Sequence, residues 1–219
     1  MRERPILFSD PMVRALLAGA KTQTRRIVKP LKYRPLPDTN ASWRYDGVWS
    51  EEDGGDGCRY MERLDDKGNP IEEYHRIGRC PYGDVGDRLW VREAWYPLVD
   101  EIGQVYPIYR ASWPWRATSP KKWKSPIHMP RSACRLSLEI TDVRVERLQA
   151  ITAADALAEG AGTQMRGCTR YDGEARDVFR WIWSTIHGEA SWEANPWVWR
   201  IAFRRIAPIS NSLTERGTQ

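Results

Sequence analysis

Apolar positions recur along this chain with two different periods, and each period marks out a segment. Between residues 10 and 20, DPMVRALLAGA, the side chains of Met12, Val13, Leu16 and Leu17 fall on one stripe at helical spacing. Ser9 or Asp10 stands where a cap is needed, Pro11 suits the first turn, and Gly19 suits the exit. The next stretch, KTQTRRIV, carries threonines and β-branched residues and predicts a strand. A period of two picks out GDRLWVREAW, 86–95, where Leu89, Val91, Glu93 and Trp95 share one face. It also picks out RLSLEITDVRVERL, 135–148. There the parity changes from Leu136, Leu138 and Ile140 to Val143 and Val145, which predicts a bulge near Thr141–Asp142. NPWVWRIAFRRI closes the pattern as a strand with Trp197, Trp199, Ile201 and Phe203 on one side. Two helices are expected before it. One is ITAADALAEGAG, 151–162, capped by Thr152 with Asp155 and ended by Gly160; the other covers 174–187, with Val178, Trp181, Ile182 and Ile186 as its buried stripe.

Between these periodic segments the pattern lapses twice. Residues 30–80 open with Pro30, Pro35 and Pro37, pass through the acidic EEDGGDG, and end in a hairpin pattern around Asp66–Asn69. That hairpin is polar on both faces, so an exposed ribbon is expected. Residues 96–134 are rich in proline, aromatics and lysine. The simplest organisation is one α+β domain over 1–207 with insertions at about 30–80 and 96–134, followed by a flexible tail at 208–219. No internal repeat is evident.

Composition narrows the classes. The chain has 219 residues and a formal charge of +5, a mild basic bias that admits nucleic acid without requiring it. No apolar run approaches the ~20 residues of a membrane span, and the N-terminal apolar stretch is too short for a secretory signal. A cytoplasmic protein with no membrane partner is expected. Cys58, Cys80, Cys134 and Cys168 form no C-x-x-C pair, and Cys58, His75 and Cys80 match no zinc-ligand spacing. Reduced thiols, no metal and no cofactor are therefore expected. The twelve tryptophans are the unusual feature, and several sit beside cations in WPWRATSPKKWK (113–124) and WVWRIAFRR (197–205). Such rings suit stacking on bases, and they suit equally the filling of a small β core.

Taken in order, ILFSDPMVRALLAGAKTQTRR (6–26), GDRLWVRE (86–93), RLSLEITDVRVERLQAITAADALAEG (135–160) and WVWRIAFRR (197–205) resemble the ASCH domain, a small β-barrel of the PUA-like superfamily. These motifs cover a little under half of the chain. The long form, with CPYGDVGDRLWVREAW and NPWVW, is similar to ASCH proteins carried by bacteriophages and prophages. The family is functionally mixed, so the fold alone does not name an activity. One bacterial branch removes the acetyl group from N4-acetylcytidine, and other members are RNA-binding modules or cut RNA. What the resemblance to the amidohydrolase branch implies is a catalytic set of Lys21, Thr24 and Glu159.

Chemistry admits that set. A threonine hydroxyl needs a base, a lysine can serve if its pKa is brought well below ~10.4, and a glutamate can hold or relay the proton. Glu159 also stands at the helix end where a carboxylate is disfavoured by about 0.3–1 kcal/mol, a hint of function that an arginine partner would explain as well. In a straight strand Lys21 and Thr24 would face opposite sides, so Lys21 must lie in the turn before the strand. The plain alternative for KTQTRR is a basic edge strand. Arg25, Arg26, Arg92 and Glu93 are the candidates for contacting substrate, since a guanidinium suits phosphate or a base edge and a carboxylate accepts from an exocyclic amine. Glu93 on an inward face needs either a partner or a task, and His128 between prolines is a structural residue or a pocket residue. The expected partner is RNA, a nucleoside or a modified nucleobase; the rivals to catalysis are a binding module and a ribonuclease. Nothing in the sequence determines the oligomeric state.

Overall fold

The computed structural model describes residues 1–30, 36, 43–48, 58–114, 120, 122–162 and 174–206. The acidic EEDGGDG loop, Cys168, residues 115–119 and 121 of the aromatic stretch, and the tail at 208–219 lie outside these residues. The chain runs β1 (Glu3–Leu7), α1 (Asp10–Leu17), β2 (Gln23–Ile27), β3 (Trp43–Val48), β4 (Arg59–Leu64), β5 (Pro70–Gly78), β6 (Arg88–Arg92), β7 (Trp95–Val99), β8 (Val105–Tyr109), β9 (Ser137–Arg147), α2 (Ala153–Ala158), α3 (Ala175–His187), α4 (Glu189–Glu193) and β10 (Trp197–Ile206). The fold is α+β. Its main sheet has the order β1-β6-β9-β10-β2, with β1 and β6 parallel and the remaining neighbours antiparallel.

Burial on both faces of this sheet follows from β9 and β10. Trp197, Trp199, Ile201 and Phe203 of β10 join Leu138, Ile140, Val143 and Val145 of β9 in the larger core, together with Val13 and Leu16 of α1. Val198, between the first two tryptophans, points to the opposite side and meets Val178, Phe179, Ile182 and Trp183 of α3 and Trp192 of α4. The change of parity in β9 is accommodated as expected. The register passes from Ala202 opposite Asp142 to Phe203 opposite Ile140, leaving Thr141 as the extra residue.

The sheet differs from the expected barrel. Among the described residues it stays open, with β1 and β2 as its edges. The connection between those edges is α1, and the Arg26 Nη2 donates to Leu7 O at 2.8 Å across the gap. A side chain reaching one carbonyl is not a backbone ladder, so the edges are joined without closing.

The 30–80 excursion is also less separate than its polar pattern suggests. β4 and β5 form the expected hairpin, in which Asp65 Oδ1 accepts from the Lys67 and Asn69 amides at 2.8 Å each, and β3 adds a third strand. Its base is not exposed. Met61 and Ile77 join the main core, and the buried Arg59 pairs with Asp84 at 2.7 Å beneath Trp199. The 96–134 excursion contributes the β7–β8 hairpin and a small core of Trp95, Met129 and Ala133.

On α3 the expected stripe is turned by part of a helical turn. Val178 and Ile182 are buried, but so are Phe179 and Trp183, while Trp181 and Ile186 are exposed. Phe179 and Trp183 enter the core beside Trp192, and Trp181 and Ile186 are left at the rim. Six tryptophans, at 90, 95, 183, 192, 197 and 199, are buried, so most of the described rings serve as core. No disulfide is formed by Cys58, Cys80 or Cys134, and His75 packs edge-on against Trp43 with centroids 5.9 Å apart. Among the described residues no helix is long and apolar enough to cross a membrane.

Candidate functional site

The site grows from the exit of α1. Gly19 takes a φ of 73°, a conformation that glycine adopts without strain, and the amides of Ala20 and Lys21 turn back onto Ala15 O. Lys21 therefore lies in the turn before β2, as the catalytic reading requires. It forms an isolated bridge with Glu159, and the Thr22 amide donates to Ala158 O at 2.8 Å. Two segments 138 residues apart are thus fastened by backbone before any side chain is considered.

On the other side of the bridge, the capping box of Thr152 and Asp155 starts α2. Glu159 forms its C-cap, ahead of Gly160 at a φ of 88°. The Lys21 Nζ donates to Gln23 O, Glu159 O and Glu159 Oε2, each at 2.8 Å. Three acceptors around one nitrogen match the three protons of an ammonium. The other Glu159 oxygen accepts from Arg25 Nη1 at 3.2 Å, so the carboxylate at the unfavourable helix end is held by two cations. Burial pushes the Lys21 pKa down; the charge of Glu159 and its hydrogen bond work the other way, and the net direction is downward. Lys21 and Arg26 both lie over the Phe8 ring, at 5.5 and 5.4 Å from its centroid.

Arg25 is a scaffold rather than an open contact. Its side chain is fully buried, Nε donates to Glu146 Oε1 at 2.8 Å, and Nη2 lies 3.4 Å from Asp155 Oδ2. Gln23 Nε2 donates to Asp155 O and Oδ1 at 3.0 and 3.1 Å. For Asp155, partial burial opposes ionisation. The hydrogen bonds from Gln23 and Thr152 and the Arg25 charge outweigh it, holding the pKa down at about 2.

These groups back onto a cavity of about 290 Å³. One wall is formed by Phe8, Thr24, Arg25, Arg26 and Glu159. The facing wall is one side of α3, with Phe179, Ile182, Trp183, Ile186 and His187 at successive helical spacings. Thr24, in register with Ile201, is buried, and its hydroxyl makes no hydrogen bond among the described residues. Lys21 does not line the cavity; it sits behind Glu159. Of the three residues expected to converge, Thr24 and Glu159 line the cavity, and Lys21 reaches it only through its hydrogen bond to Glu159.

Arg92 and Glu93 do not join the described lining. Glu93 is wholly buried, and its two carboxylate oxygens accept from Arg135 Nε and Nη2 at 2.8 Å each. Its inward direction is answered by a partner. Arg92 Nε donates to Met129 O at 3.2 Å, and its guanidinium lies 4.8 Å from the Trp90 centroid. Both tie the end of β6 to the 125–135 segment. His128 is exposed on a tight turn whose first residue, Pro126, reaches the cavity.

The residue that sequence reasoning missed is His187. Its ring lies 4.3 Å from that of Trp183, and its pKa is lowered by burial and then by the Arg26 charge. The signal was available in the spacing of Phe179, Trp183 and His187, four residues apart, which fixes one face of α3.

Compared with protein-family models, with curated proteins and with solved structures, the chain matches none. The functional reading therefore rests on the residues and their geometry.

Proposed function

We propose that this chain is a nucleobase- or nucleoside-directed amidohydrolase of the ASCH, PUA-like type, acting on N4-acylated cytidine. The observation that supports it is the presence, from separate segments, of an unbonded Thr24 hydroxyl and the Glu159 carboxylate on the lining of one small cavity, with Lys21 hydrogen-bonded to that carboxylate from behind. A cavity of about 290 Å³ falls at the small end of ligand sites, which suits a base or nucleoside better than a polymer.

In this reading the resting lysine is an ammonium held by three oxygens. Transfer of one proton from Nζ to Glu159 Oε2, along the 2.8 Å hydrogen bond, leaves a neutral amine and a neutral acid. The low polarity that depresses the Lys21 pKa favours this uncharged pair. The amine takes the Thr24 hydroxyl proton as Oγ1 attacks the acyl carbonyl. Glu159 then gives its proton to the departing exocyclic amine, which leaves as free cytidine. Lys21 is again an ammonium, Glu159 a carboxylate and Thr24 an ester. Water cleaves the ester by the same exchange in reverse, releasing the carboxylic acid.

The rival reading, an RNA-binding surface built from tryptophan and arginine, has less support. The described tryptophans are mostly buried, and many arginines are taken up by carboxylates, as Arg25, Arg135 and Arg200 are.

The test is release of cytidine from N4-acetylcytidine, and from a series of other N4-acylated cytosines, by the purified chain. Thr24→Val is expected to abolish release while leaving the fold intact. If the wild-type chain turns over none of the series, the hydrolase reading fails.

A further inference from the structure

The charges on the cavity wall do not all find partners. Glu159 is engaged by Lys21 and Arg25, and Arg25 has Glu146 and Asp155 in addition. Arg26 is different. Among the described residues no carboxylate lies within ion-pair distance of it, and its Nη2 donates only to the neutral Leu7 O. Its Nε is buried with no hydrogen-bond partner. The guanidinium lies over Phe8 and Tyr82, at 5.4 and 6.0 Å from their centroids, so rings occupy places where water would otherwise solvate it. A cation partly withdrawn from water, with no carboxylate in contact and only the more distant charge of Glu159 acting on it, can accept an anion from outside the chain.

His187 lines the same cavity from the facing wall. Stacking on Trp183 orients its imidazole, and no hydrogen bond engages either ring nitrogen among the described residues. Arg26 and His187 both line this cavity. The other charged groups on the lining are Arg25 and Glu159, which are already paired with each other and with Lys21. A guanidinium fork on one side and an imidazole on the other present donors to a single compact oxyanion placed between them. With flat rings from Phe8, Phe179 and Trp183 beside it, the cavity suits an aromatic ring attached to that oxyanion.

We propose that Arg26 and His187 form an anion subsite at the mouth of this cavity, and that the natural ligand is a nucleoside monophosphate rather than a free nucleoside. The identity of the base rests on the hydrolase reading above; the presence of the phosphate does not.

The direct test is binding, with no catalytic step. Cytidine, cytidine 5′-monophosphate, inorganic phosphate and acetate are titrated into the full chain by calorimetry at low salt. The three histidines are followed by NMR, with His187 assigned through His187→Gln. The monophosphate is expected to bind at least about tenfold more tightly than cytidine, as a charge-assisted pair implies. Binding is also expected to raise the His187 pKa, because a nearby anion favours the imidazolium. Arg26→Gln should erase the preference, and Arg26→Lys, which keeps the charge and loses the fork, should retain part of it. The dispersion of the histidine signals reports whether each variant is folded. Equal affinity for cytidine and its monophosphate, or a preference that survives in a folded Arg26→Gln, overturns the proposal. A His187 response to acetate as large as that to phosphate overturns the phosphate assignment.

Hydrolysis separates this idea from the one it builds on. If no acylated cytosine is cleaved but the monophosphate still binds selectively, the hydrolase reading fails and the subsite stands. If N4-acetylcytidine and its 5′-monophosphate are cleaved with equal kcat/KM, and Arg26→Gln lowers both alike, Arg26 serves the developing oxyanion only and the subsite falls.

Discussion

Two buried glutamates of this chain, Glu93 and Glu159, look alike in isolation and differ in their surroundings. Glu93 follows the end of β6 and has no exposed surface; both of its oxygens are used by one guanidinium, that of Arg135, in a two-point pair. The Arg135 guanidinium in turn lies 4.0 Å from the Tyr109 ring centroid, and the Glu93 amide faces the Met129 sulfur at 3.3 Å. Glu159 is almost as buried, yet it divides its oxygens between Lys21 and Arg25 and borders a cavity beside an unbonded hydroxyl. A closed, two-point pair stiffens the join between two segments. A shared carboxylate at a cavity can exchange a proton without leaving its partners. In the proposed reading, the number of partners and the open space, not the burial, separate the proton-relaying Glu159 from the structural Glu93.

The sharpest way to break this contrast is to neutralise each acid in turn. Glu159→Gln is expected to lower kcat/KM for an N4-acylated cytidine by at least about 10³-fold, since the proton relay is removed whole. Glu93→Gln should leave kcat/KM per folded molecule within about twofold and lower stability by roughly 3 kcal/mol. That figure is the low end for a broken buried pair, because a quarter of the Arg135 side chain is exposed. Urea unfolding and steady-state kinetics on the same preparations decide it. Equal effects of both changes on turnover would remove the distinction.

Next in size is the pH dependence of turnover. In the proposed mechanism the proton that leaves Lys21 is kept by Glu159 for the departing amine, and burial sets the Lys21 pKa below the usual lysine value, so activity should fall as the pH rises through an apparent pKa below 10.5. That limb belongs to the Lys21–Glu159 pair rather than to either residue alone. Activity that keeps rising through pH 11 would argue against a proton shared by this pair.

Smaller effects concern the support behind Glu159. Asp155 is held at about 2, below the ordinary 3.8, so its contribution to stability is present above about pH 4 and is lost as the pH falls toward 2. Asp155→Asn should remove that portion of the acid-unfolding slope, read by circular dichroism. Smallest is the cap itself. Thr152 Oγ1 accepts from the Asp155 amide at 3.1 Å, and Thr152→Ala is expected to cost about 1 kcal/mol of stability in thermal unfolding.

Much of the fold was legible from pattern. The strands β6, β9 and β10, the helices α1 and α2, the Thr152 cap and the Thr141 bulge all follow from short-range periodicity and local hydrogen bonding, which depend on residues a few positions apart. β1 was not read as a strand, because its five residues ERPIL make only one buried contact position and depend on parallel pairing with distant β6. The phase of α3 was misjudged for a similar reason. Several apolar stripes were available, and the ring-filled core under β10 selected the one with Phe179 and Trp183.

The site divides along the same line. Lys21, Thr24 and Glu159 could be nominated from residue type and spacing, and the turn at Gly19 that frees Lys21 from the strand is encoded locally. Sequence also supplied the inward direction of Glu93, since strand alternation is a property of neighbouring residues. Which cation each acid meets required the whole fold, because Arg135 and Lys21 approach from segments 42 and 138 residues away. The open sheet, the α3 wall with His187 and the unneutralised Arg26 arose in the same way. They depend on long-range packing and on where space is left over, and no local run of residues carries that information.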